Sequence, residues 1–112
     1  MDIKGKAVYL SGKMTGVENW NKPAFDEAEE ALYEMGASFV FNPAFDAPKL
    51  EEAKDHSFYM RRDINVLTSF HGFPPKPVYD VIALLPGWED SQGACIELQV
   101  AIACGLEVLH LE

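Results

Sequence analysis

Glu97 is the residue where chemistry is easiest to place. Between Ala94 and Gly105 it is the only ionisable side chain apart from the two cysteines. Its neighbours Ala94, Cys95, Leu98, Ala101 and Ile102 recur at helical spacing, so the carboxylate lies beside the apolar side of a helix. Two readings are open. The glutamate compensates the helix dipole at a surface near the helix start, or it is aimed into a crevice at the ends of strands. The preceding residues form the segment LPGWEDSQGACIE over 85–97. An apolar run meets Pro-Gly and an acidic stretch, and Ser91-Gln92-Gly93 opens the helix. Ser91 can cap it, and the unpaired N–H groups of a helix N-terminus suit a phosphate. Gly93 would admit a ligand close to the backbone.

Tyr9 to Gly16, YLSGKMTG, is the second such segment. Gly12 stands at the end of an apolar run, with Lys13, Thr15 and Gly16 behind it. The spacing matches neither GxxxxGK[ST] nor GxGxxG. It is either a tight turn with a solvated lysine, or a loop whose N–H groups and Lys13 hold an anion. Asp63 follows Arg61 and Arg62, a pattern that by itself describes a solvated salt-bridge face. Glu89 and Asp90 read as exposed-loop acids. His56, His71 and His110 have no metal-ligand spacing among themselves or with Cys95 and Cys104, so no metal and no cofactor is expected. GxSxG is absent.

These residues need elements to hold them. Residues 7–11, AVYLS, read as a strand, and residues 12–21 as a loop. Asn21 is a candidate N-cap, with Pro23 in the first turn. Phe25, Ala28, Leu32 and Met35 then recur at helical spacing, opposite Asp26, Glu27, Glu29, Glu30 and Glu34. Gly36 ends that helix. ASFVFN at 37–42 is a second strand, and 43–54 are irregular. A second helix is expected from near Asp55 through SFYMRRDINVLTSF, with Phe58, Ile64 and Leu67 on its apolar side. Three prolines make 71–77 a surface loop. VYDVIALL at 78–85 is unbroken apolar sequence, as in a strand covered on both faces. A third helix runs from Ser91 or Gly93 to Cys104, Gly105 closes it, and 107–111 form the last strand. The alternation β-α-β-α-β-α-β predicts a single α/β domain over 1–112. It is a three-layer α/β/α arrangement with a Rossmann-like or flavodoxin-like parallel sheet of four to five strands. Ligands of such sheets sit outside the carboxyl ends of the strands. That rule selects the loops 11–21, 42–54 and 86–93.

Length and charge bound the partners. The chain has 112 residues, 18 Asp plus Glu against 9 Lys plus Arg, and a formal net charge of -9. That balance excludes a nucleic acid polymer and disfavours an anionic membrane, since both need clustered cations. A small anionic ligand at one local site is still allowed. No signal peptide is expected, and no run of about 18 apolar residues occurs. Cys95 and Cys104 on one helix would lie roughly 13 Å apart, too far for a disulfide. They are expected to be buried small apolar residues in a reducing, cytoplasmic setting.

Taken together, VYLSG at 8–12, MRRDIN at 60–65, and DVIA at 80–83 with SQGACIE at 91–97 resemble the nucleoside 2-deoxyribosyltransferase superfamily. That superfamily includes the 2′-deoxynucleoside 5′-monophosphate N-glycosidases. The nearest likeness is to a small phage and bacterial branch that begins SGxMTG and later carries LPGWExSxGAxxE. It spans nearly the whole chain. The resemblance implies cleavage of an N-glycosidic bond. Glu97 would be the nucleophile, Asp63 would handle the proton on the base, and Tyr9 would orient Glu97. It also implies a 5′-monophosphate substrate. The family's nucleoside-using members carry aspartate six residues before the nucleophile, whereas its monophosphate hydrolases carry serine, here Ser91. Gly12, Lys13, Thr15 and Gly93 would assist in holding the phosphate. Asp90 and Glu89 beside Ser91 would oppose an anion if they point inward. A homodimer or larger homo-oligomer is implied as well. Two competing classes use the same scaffold: a non-catalytic module that binds or sequesters a nucleotide, and an interaction protein with no use for Glu97.

Overall fold

The computed structural model describes residues 1–45 and 56–112. Its elements are β1 (Ala7–Ser11), α1 (Lys22–Glu34), β2 (Phe39–Phe41), α2 (His56–Leu67), β3 (Phe70–His71), β4 (Lys76–Pro77), β5 (Val81–Leu84), α3 (Gln92–Ala103) and β6 (Glu107–His110). The four longer strands form one parallel sheet in the order β2-β1-β5-β6. Tyr9 is in register with Phe41 on one side and Ile82 on the other, and Ser11 with Leu84.

The alternation of side chains along each strand sorts the core into two halves. Val8, Leu10, Val40, Val81 and Ala83 pack with Phe25 and Leu32 of α1. Ala7, Tyr9, Ile82 and Leu84 point the other way and pack with Leu67 of α2 and Ala101 of α3. Helices therefore cover both faces, as the α/β/α reading requires. β1 and β5 are buried along their whole length because both are central and two-sided. The chain winds outward from β1 to β2, then resumes on the other side of β1 with β5. The order thus reverses between β1 and β5, which is where a parallel sheet opens a crevice.

Several expectations are corrected. Asn21 takes the N-cap position of α1, but its side chain makes no capping hydrogen bond. It sits in the left-handed region at φ 62°, and its Nδ2 donates to Lys13 O at 3.0 Å, tying the first loop together. Met35 follows the last residue of α1 and is exposed rather than packed. β2 is shorter than 37–42. The second helix ends at Leu67 instead of reaching Phe70. Thr68 Oγ1 donates to Ile64 O and Ser69 Oγ to Val66 O, which satisfies the last carbonyls and turns the chain. The segment 71–77 is not a plain loop: β3 and β4 pair antiparallel, with His71 opposite Lys76. The ribbon is two residues deep, so prolines at its tip and edge are tolerated. Cys95 and Cys104 are unpaired, but neither is buried, and Cys104 is exposed at the solvent end of α3. The start of the second helix near Asp55 and most of the irregular stretch 43–54 lie outside the described residues. No helix among the described residues is long and apolar enough to cross a membrane.

Candidate active site

Glu97 is carried by the second turn of α3 and is buried. Both carboxylate oxygens are engaged from β1. Tyr9 Oη donates to Oε2 at 3.2 Å, and Ser11 Oγ donates to Oε1 at 2.6 Å. The two donors are two residues apart on one strand, so they share the face that meets α3. Burial pushes the Glu97 carboxyl up to about 7, opposed by the Ser11 hydrogen bond, and the Asp63 charge adds to the rise. Burial likewise holds the Tyr9 phenol well above its ordinary value, with the Glu97 charge adding to it, so Tyr9 acts as a donor.

A cavity of about 340 Å³ opens over this pair at the carboxyl ends of β1 and β5. Its wall includes Gly12, Lys13 and Thr15 from the first loop, Asp63 from α2, and Ser91, Gly93 and Glu97 at the start of α3. Seven of the eight residues singled out in the sequence therefore meet in one cavity. The eighth, Tyr9, lies behind Glu97 with no exposed surface. Ser91 caps α3, its Oγ accepting from Ala94 N–H at 3.1 Å.

The two glycines have packing reasons beside any ligand. A Cβ on Gly12 would stand 2.9 Å from the Leu85 side chain, because the exits of β1 and β5 touch there. A Cβ on Gly93 would stand 3.2 Å from Met60 Sδ, where α3 meets α2.

Asp63 is no solvated acid. It is buried, and its Oδ1 accepts from Arg62 Nε at 3.0 Å. Arg62 stacks over the Tyr59 and Phe45 rings at 5.2 and 5.7 Å, and its Nη2 donates to Pro43 O at 3.3 Å. The guanidinium thus ties α2 to the segment leaving β2. Asn42 secures that segment from the other side, donating through Nδ2 to Asp26 and Glu29 and accepting from Ala44 N–H. Two of the acids assigned to a solvated helix face therefore serve as acceptors.

Sequence reasoning missed Ser11, Arg62 and His56 as parts of the site, and weighed Asp90 only as a residue that would oppose an anion if it pointed inward. The one signal for Ser11 was a hydroxyl in an otherwise apolar strand, on the same face as Tyr9. Asp90 lines the cavity beside Ser91, while Glu89 is not on its wall. Among the described residues, Lys13 therefore shares the cavity wall with three carboxyl groups, Asp63, Asp90 and Glu97. No group of three or more His, Cys, Asp or Glu among the described residues could hold a metal ion.

Fold and site define a doubly wound parallel α/β protein with a ligand-sized cleft at the strand-order reversal and a buried, hydrogen-bonded glutamate inside it. Over residues 6–110 the chain matches the family described as a domain of unknown function (DUF4406), and it belongs to that family. No curated protein and no solved structure matches the chain.

Proposed function

We propose that the protein is an N-glycosidase that cleaves the base from a (deoxy)nucleoside 5′-monophosphate, with Glu97 as nucleophile. The observation that carries this reading is the buried Glu97 carboxylate, clamped by Tyr9 and Ser11 at the inner wall of a cavity that also holds Asp63. The volume suits a small ligand, since such sites span about 300–1,000 Å³.

In the ionised form a Glu97 oxygen attacks the anomeric carbon. The N-glycosidic bond breaks, its electron pair passes to the base nitrogen, and Asp63 serves the proton that the departing base requires. Water then attacks the same carbon and gives its proton to Asp63, the ester C–O bond breaks, and both carboxyl groups return to their starting states. The phosphate would rest at the N-terminus of α3. There Ser91 uses a lone pair on Ala94 N–H and its O–H can donate, with Gly93, Lys13 and Thr15 nearby. The homo-oligomer belongs to the same proposal, and sedimentation equilibrium tests it.

The decisive experiment incubates the protein with a panel of ribo- and deoxyribonucleoside monophosphates and measures free base. Release is expected, and Glu97→Ala is expected to lower it at least about 1,000-fold. No release from any nucleotide, with ligand affinity retained in Glu97→Gln, would instead identify a nucleotide-binding module.

A further inference from the structure

We propose that Ser11 is a positioning residue for Glu97: its hydroxyl anchors Oε1 and leaves Oε2 as the oxygen that attacks. The role rests on the N-glycosidase reading, but the geometry beneath it does not. Ser11 is fully buried in a central strand, among residues whose side chains are otherwise apolar or Tyr9. A hydroxyl there needs a partner, and it has one in Oε1 at 2.6 Å. The Tyr9 bond to Oε2 is longer, at 3.2 Å. A short hydrogen bond to a charged acceptor draws density from that oxygen. The atom held more loosely is therefore the better nucleophile.

The assignment follows both steps of the reaction. As C1′–Oε2 forms and the C1′–N bond breaks, Oε1 becomes the carbonyl oxygen of the glycosyl ester and stays on the Ser11 hydroxyl. When water attacks C1′ and C1′–Oε2 breaks, charge returns to the carboxylate, and Ser11 again stabilises it. Ser11 touches neither sugar nor base.

Among the described residues, the charged and titratable groups around Glu97 are Tyr9 on β1, Arg62, Asp63, His56 and Tyr59 on α2, and Lys13 and Asp90 on the cavity wall. Of the two hydrogen bonds that favour its ionised form, the one from Ser11 has the larger effect.

The test is a ¹³C NMR titration of glutamate side-chain carboxyls, with Glu97 assigned by its loss in Glu97→Gln. Ser11→Ala is expected to raise the Glu97 midpoint by about one to two pH units. Ser11→Cys, a weaker donor, is expected to fall between the two. In base release, Ser11→Ala lowers kcat about 10-fold at neutral pH with KM little changed, and recovers toward high pH. An unmoved Glu97 midpoint in Ser11→Ala and Ser11→Cys overturns the proposal. So does a kcat loss that is the same at every pH, which is the signature of a merely structural role. A shifted midpoint in a protein that releases no base keeps Ser11 in place and removes the glycosidase instead.

Discussion

Glu97 enters the folded core as a carboxyl that burial keeps neutral up to about pH 7, against 4.5 for the unperturbed group. The folded chain therefore holds a proton that the unfolded chain releases. Stability attached to this group is full below about pH 4.5 and lost as pH rises through about 7, by roughly 3 kcal/mol in all. Glu97→Gln keeps an acceptor for Ser11 and has no charge to desolvate. Its melting temperature is expected to exceed that of the wild type at pH 8 and to match it near pH 4.5, as thermal melts across pH will show. The proposed activity runs the opposite way, because nucleophilic attack by Glu97 would need the ionised form. The kcat/KM for base release is expected to climb to a plateau above about pH 7. Glu97 was legible because it is a lone carboxylate in an uncharged helix. Ser11 was not, because one serine at the end of AVYLS looks like the close of a strand until its partner is known.

At the scale of elements, the cavity depends on how closely strand exits and helices approach one another. Gly12→Ala sets a Cβ 2.9 Å from Leu85 Cβ, an atom bound to backbone that cannot swing away. A loss of about 1–3 kcal/mol is expected, a fall of several degrees in melting temperature. The one tight contact of Gly93→Ala is with the Met60 sulfur, at 3.2 Å, which a flexible side chain can move. Its cost is expected to be the smaller of the two, measured in the same melts. Ser91→Ala removes a cap and is expected to cost about 1 kcal/mol in the ligand-free protein. Periodicity made α1, α3 and the central strands readable. The end of α2 was not, since Thr68 and Ser69 stop it by bonding back to carbonyls, a contact that no apolar pattern records. The β3–β4 ribbon was hidden by its prolines.

The whole molecule carries a net charge of -9, and its cavity puts Lys13 among three carboxyl groups. The nucleoside monophosphate of the proposed reaction would approach against that field. Raising ionic strength from about 10 to about 150 mM shortens the screening length and is expected to increase kcat/KM for the monophosphate. The uncharged nucleoside serves as the control that stays level, and a decrease for the monophosphate would show that local cations dominate its capture. The three-layer architecture was legible from the alternation of elements, whereas the convergence of seven chosen residues on one cavity needed the strand order. That order also governs assembly. Tyr9 and Glu97 are 88 residues apart in the chain, and the central strand β1 finds β5 only after some 70 residues have followed it. Every pairing in the main sheet is non-local, which makes folding slow for the chain's size. During synthesis Tyr9 and Ser11 leave the ribosome long before the carboxylate they hold. The candidate site is thus among the last features to form, and regain of the proposed base release in refolding is expected to report completion of the fold.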